Sequence, residues 1–88
     1  MRLPRDVGGD ELASLLSTYG YDVTRQAGSH LRLTSSLRGA EHHVTIPRHR
    51  PLKVGTLSGI LKDVAAYLDM DKQALIEELF KRQSSPYD

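Results

Sequence analysis

Two short runs, Leu31-Arg32-Leu33-Thr34 and Val44-Thr45-Ile46, alternate apolar and polar residues without a break, and this period of two constrains the fold of the 88-residue chain more than any other feature. Alternation sends successive side chains to opposite faces of a β-strand, so a half-buried sheet is expected around these runs. A third run, Tyr21-Asp22-Val23-Thr24, has the same period. It is joined to the first by Gln26-Ala27-Gly28-Ser29, short enough for a hairpin in which Gly28 supplies the unusual backbone angle. Pro47 ends the last run, because proline cannot donate to a sheet ladder. Ser35 to Glu41 reads as a longer, mobile loop between strands His30–Thr34 and His42–Ile46.

Elsewhere the period lengthens to that of a helix. Leu12, Leu15, Leu16 and Tyr19 fall at i, i+3, i+4 and i+7, with Asp10 as the expected N-cap and Gly20 as the stop. Leu57, Ile60, Leu61, Val64 and Leu68 predict a second helix capped by Thr56, and Gly59 inside it is expected to allow close packing on the sheet. Asp71 is the expected cap of a third helix with Leu75, Ile76, Leu79 and Phe80 on its apolar side. The expected fold is α+β, in the order αβββαα, with a three-stranded antiparallel sheet and helices packed on one face. One domain is expected over residues 8–81, with 82–88, and Gln83 to Asp88 in particular, as a frayed, disordered tail.

The alternation also sorts side chains by face. Leu31 and Leu33 share the buried face with Val44, Ile46, Tyr21 and Val23, because no other choice buries them all. His30, Arg32, Thr34, His43, Thr45 and Thr24 then occupy the opposite, polar face. A bulge near Gly28 would exchange the two sets. His42 shares parity with Val44 and is read as a structural plug at the sheet edge.

The formal net charge of +1 hides a strong asymmetry. Residues 24–62 hold Arg25, Arg32, Arg38, Arg48, Arg50, Lys53 and Lys62 against Glu41 alone, and all four histidines as well, while both flanking segments are acidic. A basic middle suits a phosphate-rich partner, since Lys and Arg displace condensed counterions from nucleic acid. There are no cysteines, which removes disulfides and thiolate zinc sites. No apolar leader and no run of membrane-spanning length are present, so a cytoplasmic protein without a membrane partner is expected.

The histidine spacing argues against a metal site. His42 and His43 are adjacent on a strand and point to opposite faces, and no His-Glu-x-x-His helix exists. Paired carboxylates are absent from the basic segment, and Asp22 is the one acid that could orient His30 in a triad. What remains is one or two imidazoles among cations, a combination suited to cleaving an RNA phosphodiester without a metal or other cofactor. RNA supplies the 2′-hydroxyl nucleophile, and the enzyme supplies a base, an acid and positive charge. His30 is the candidate base or acid, with His43 as a candidate second imidazole. Arg25, Arg32 and Lys53 are candidate phosphate ligands, with Ser29 and Arg48 as further RNA contacts and the amides at Gly55-Thr56 as an anion site at a helix start.

Taken together these pieces resemble the HicA-type (YcfA-like) toxins of toxin–antitoxin pairs. The matching residues are Glu11-Leu12, Leu15-Leu16, Gly20-Tyr21, Arg25 and Gly28-Ser29-His30, then Val44-Thr45-Ile46-Pro47-Arg48-His49, Gly55-Thr56-Leu57 and Ile60-Leu61-Lys62. The resemblance covers roughly residues 8 to 81. It implies a fold like a double-stranded-RNA-binding domain, mRNA interferase activity that inhibits translation, His30 as the catalytic histidine, and a HicB-type antitoxin as partner, with no DNA binding by this chain alone. Ala27 departs from the pattern, since members often carry a Lys before the glycine. The competing expectation is a non-catalytic RNA-binding module of the same fold, which makes no use of a particular imidazole. A third is a protein-interaction domain whose exposed sheet edge accepts a partner strand.

Overall fold

The alternating runs form an antiparallel sheet in the order β1-β2-β3, with β1 at Asp22–Ala27, β2 at His30–Ser35 and β3 at His42–Pro47. The structure is a computed structural model and describes residues 3, 4 and 6–84, with the backbone alone at 82–84. Helices α1 (Gly9–Leu16), α2 (Val54–Leu68) and α3 (Lys72–Ser84) complete the order αβββαα, the expected α+β architecture of a double-stranded-RNA-binding-like fold. A single 3-10 turn, Ser17–Tyr19, extends α1 and ends at Gly20, whose φ of 81° is the left-handed conformation expected of a stop signal.

The core lies between the sheet and the helices. Leu31, Leu33, Val44 and Ile46 meet Leu12 and Leu16 of α1 and Leu57, Ile60, Leu61, Val64 and Leu68 of α2, while Leu75, Ile76, Leu79 and Phe80 of α3 close the far side. α1 packs against β1 and β3, α2 against β3, and α3 against α2. Among the described residues no element covers the opposite sheet face, and His30, Arg32, His43 and Thr45 are exposed on it.

Several local expectations change. α1 starts one residue before Asp10, with Gly8 as N-cap, and the Glu11 carboxylate accepts the Gly8 N–H at 3.4 Å. Asp10 is drawn instead to Arg48. α2 likewise starts at Val54 with Lys53 as N-cap, so Thr56 stands inside the first turn rather than before it. Gly59 faces solvent with nothing within 4 Å of a built Cβ, and gives no close approach to the sheet. Asp71 does cap α3, accepting the Ala74 N–H at 3.1 Å. That helix continues through Gln83 and Ser84, where a frayed tail was expected, and residues 85–88 of the expected tail lie outside the described residues.

The β2–β3 loop is tied down rather than loose. The Tyr67 hydroxyl accepts the Arg38 N–H at 2.9 Å and donates its one proton to the Ala40 carbonyl at 2.5 Å, with the Ser35 carbonyl 3.3 Å away. Polar composition alone carried no sign of this, because the anchor comes from α2, about thirty positions away in the chain. His42 is the half-buried plug expected of it. Its Nδ1 lies 2.7 Å from the Tyr21 hydroxyl and its ring stacks on Tyr67 with centroids 4.8 Å apart.

Candidate functional site

The sheet's open face is built by register. β2 pairs with β3 as His30↔Pro47, Arg32↔Thr45 and Thr34↔His43, and with β1 as Ala27↔His30, Arg25↔Arg32 and Asp22↔Thr34. Residues directly opposite share a face, so three successive rows cross the sheet. The first is Ala27–His30–Pro47, the second Arg25–Arg32–Thr45, and the third Asp22–Thr34–His43.

Arg25 reaches this face by an irregularity that alternation does not contain. Val23 pairs with Leu33 on the helix side, and strict alternation would put Arg25 there too. The register shifts between them, with Thr24 as the extra residue, and Arg25 faces Arg32 instead. The bulge lies within β1 and not at Gly28, so β2 and β3 keep their predicted faces. Val23 stays on the helix side yet is 50% exposed, because β1 is an edge strand and α1 leaves a groove beside it. Tyr21, just before the strand, is 1% exposed as expected.

Gly28, with φ of 57°, starts the two-residue turn that sets His30 at the head of β2. The turn is held from below, since the Ser29 carbonyl accepts the Arg48 N–H at 2.6 Å. Among the described residues the His30 ring has no hydrogen-bond or ion-pair partner, and it is exposed. Both of its nitrogens are open to a substrate.

His43 is hydrogen-bonded at Nδ1, and its Nε2 faces the Glu41 carboxylate. Nδ1 lies 2.8 Å from Thr34 Oγ1, which lies 2.8 Å from Thr24 Oγ1, and Nε2 is 3.7 Å from Glu41 Oε1. His43 is four residues from His30 along the sheet, about 13 Å. The two imidazoles therefore cannot flank one phosphate. Asp22 lies in the same distant row and cannot orient His30.

The remaining candidates are distributed. Arg25 and Arg32 line a shallow groove with Thr24, Thr34, Glu41 and His43. The Arg48 guanidinium is committed to Asp10 through Nε–Oδ1 at 3.0 Å and Nη2–Oδ2 at 3.1 Å. Lys53 is the exposed N-cap of α2, and the amide of Thr56 is one of the free donors of its first turn. Ser29 is exposed in the turn itself. Thr24, Glu41 and Asp10 escaped the sequence reading as site residues. Alternation placed Thr24 on the face, but nothing local signals the hydroxyl chain it joins. Among the described residues no group of three or more His, Cys, Asp or Glu side chains could hold a metal ion.

No helix among the described residues is long and apolar enough to cross a membrane. No curated protein and no solved structure matches the chain. A family model, described as HicA toxin of bacterial toxin-antitoxin, matches residues 9–65, from the first turn of α1 through β1, the Gly28–His30 turn and most of α2. With well over half of its length matched and with the αβββαα fold in place, the chain belongs to the HicA toxin family, and an antitoxin partner goes with that membership.

Proposed function

We propose that this toxin is an endoribonuclease that cleaves mRNA, and that His30 moves a proton in the cleavage step. The observation that carries this reading is the contrast among the sheet's imidazoles: His42 and His43 are hydrogen-bonded, while His30 is exposed and unengaged one row from the Arg25–Arg32 pair. In the reaction the 2′-oxygen attacks the adjacent phosphorus, the bond to the 5′-oxygen breaks, and a 2′,3′-cyclic phosphate and a 5′-hydroxyl result. One proton leaves the 2′-hydroxyl and one reaches the 5′-oxygen. His30 accepts the first when neutral or delivers the second when protonated, and water serves the other transfer. Cationic side chains stabilise the charge that develops on the phosphate oxygens.

In this reading no metal or other cofactor is required. Ser29, Lys53 and the Thr56 amide add RNA contacts around the turn and at the start of α2. Arg48 takes part only by exchanging Asp10 for a phosphate. A HicB-type antitoxin covers the open face, loss of mRNA inhibits translation, the site of action is the cytoplasm, and this chain alone does not bind DNA.

The test is incubation of the purified chain and its His30→Ala variant with a defined single-stranded RNA, with and without EDTA, followed by gel analysis. Cleavage should survive EDTA and vanish in the variant, whose circular dichroism should match the parent. A fully active variant would remove His30 from the reaction. Intact RNA in every lane, from folded protein free of partner, would replace the ribonuclease with an RNA-binding module.

A further inference from the structure

Two guanidiniums face each other across β1 and β2, Arg25 opposite Arg32, and among the described residues neither has an ion-pair partner. Like charges directly opposite in a ladder destabilise a sheet. Here the pairing is produced by a bulge, which turns Arg25 out of its alternation and onto the open face. Beside the pair stand Thr24, Thr34 and His43, linked by contacts of 2.8 Å, and the six lining residues enclose a shallow groove in which Glu41 is the single acid. Two cations, and an imidazole oriented by the threonine hydroxyls, converge on one groove and match the donors that a phosphodiester accepts.

We propose that this groove is a second phosphate subsite, which grips the backbone of single-stranded RNA at a phosphate other than the one cut at His30. The inference rests on the ribonuclease reading and deepens it by giving the substrate a path. The Thr34–His43 row of the groove lies about 13 Å from His30 along β2, farther than one phosphate group can bridge, with the Arg25–Arg32 row between them. RNA therefore runs along β2, with the scissile phosphate at the turn and a flanking phosphate in the groove. His43 is a binding residue in this arrangement, and its Nε2 exchanges Glu41 for a phosphate oxygen. Glu41 sets an upper limit on affinity, because it repels the ligand and competes for His43.

The experiment measures binding of a fluorescein-labelled ten-nucleotide single-stranded RNA by anisotropy, in the His30→Ala background so that the probe stays intact. Arg25→Ala and Arg32→Ala should each weaken binding roughly tenfold. Each should also make the slope of log K against log salt shallower by about 0.7, the value for one single-strand phosphate contact. Glu41→Gln should tighten binding, and Lys62→Ala, an equal loss of charge on α2, should leave it within error. Arginine variants that bind no worse than Lys62→Ala would overturn the subsite. Cleavage by the His30-intact chain is scored in parallel, which separates the two claims. Cleavage with no arginine effect refutes the groove and spares the ribonuclease, whereas arginine-dependent binding without cleavage refutes the ribonuclease and keeps the groove as an RNA site.

Discussion

Arg48 holds Asp10 in a bidentate grip that joins the exit of β3 to the first turn of α1. Backbone contacts reinforce the same junction. The Gly9 N–H donates to the His49 carbonyl at 2.9 Å, the Leu52 N–H to the Val7 carbonyl at 2.7 Å, and the Arg48 N–H to the Ser29 carbonyl at 2.6 Å. The turn that presents His30 is thereby anchored to the loop after β3, and that loop to the N-terminal segment. A basic loop that reads as an RNA contact in sequence is first of all a brace.

The grip is exposed, so its energetic effect is small. Arg48→Ala and Asp10→Ala should each lower stability by about 0.2–1 kcal/mol, and the double variant by no more than the larger single change. Arg48→Lys should fail to restore the loss, because an ammonium cannot make the two parallel bonds. Denaturant titration of the parent and the four variants checks this. A double variant that loses the full sum would show that the two side chains do not act as a pair.

Gly9 and Gly59 should respond to alanine in opposite directions. A Cβ on Gly9 would clash with the Pro47 carbonyl oxygen and lie 3.1 Å from the Arg48 Cα, both backbone atoms. Gly9→Ala should therefore cost about 1–3 kcal/mol, the range for overpacking a rigid site. Gly59→Ala meets nothing within 4 Å in the middle of α2 and should stabilise by about 0.5–1 kcal/mol. Thermal melts of both variants decide the matter.

The Tyr21 hydroxyl gives a pH signature. Burial first, then the neighbouring Tyr67 and Asp63, pushes its pKa up to about 12 from the ordinary value near 10. A folded-state pKa above the unfolded one means that the folded state keeps a proton which the unfolded state releases. Its contribution is complete below about pH 10 and is lost as the pH climbs toward 12, at a limiting slope of about 1.4 kcal/mol per pH unit. Tyr21→Phe should remove that alkaline loss. It should also cost about 1 kcal/mol near neutrality, from the 2.7 Å contact with His42 Nδ1. Urea titrations from pH 8 to 11 compare the two proteins.

Tyr67→Phe should free the β2–β3 loop. The change strips the partner from the Arg38 N–H and from the Ala40 carbonyl while preserving the stack on His42. Amide exchange at Arg38 should accelerate by an order of magnitude or more, while exchange in β2 and α2 stays near that of the parent. Hydrogen exchange read by NMR checks it. Unchanged protection at Arg38 would show that the loop is held by other contacts.

Much of the architecture was legible in residue order. The helical stripes at Leu57–Leu68 and Leu75–Phe80 are buried as their spacing requires, Leu12 and Leu16 are buried with Leu15 and Tyr19 half-buried beside them, and β2 and β3 show the predicted faces. The opposite fates of His42 and His43 followed from parity alone. Helix starts were less legible. Asp10 and Thr56 both have the chemistry of a cap, yet each stands inside a first turn that begins at a residue with no side-chain cap.

What the amino-acid order determined by itself is the set of properties that repeat along a strand or helix, since the direction of a side chain relative to its neighbours is a local consequence of backbone geometry. The period changes, the turn at Gly28, the exposed placement of His30 and the basic middle of the chain all belong to that set. The tertiary structure alone decided where that geometry is interrupted and which atoms from distant segments meet. The bulge at Thr24 aligns Arg25 with Arg32, α1 leaves Val23 uncovered, Tyr67 anchors a loop, and Asp10 claims Arg48. Each of these depends on the position of a second segment in space, and the free energy of such a contact is absent from any window of sequence that holds only one of its partners.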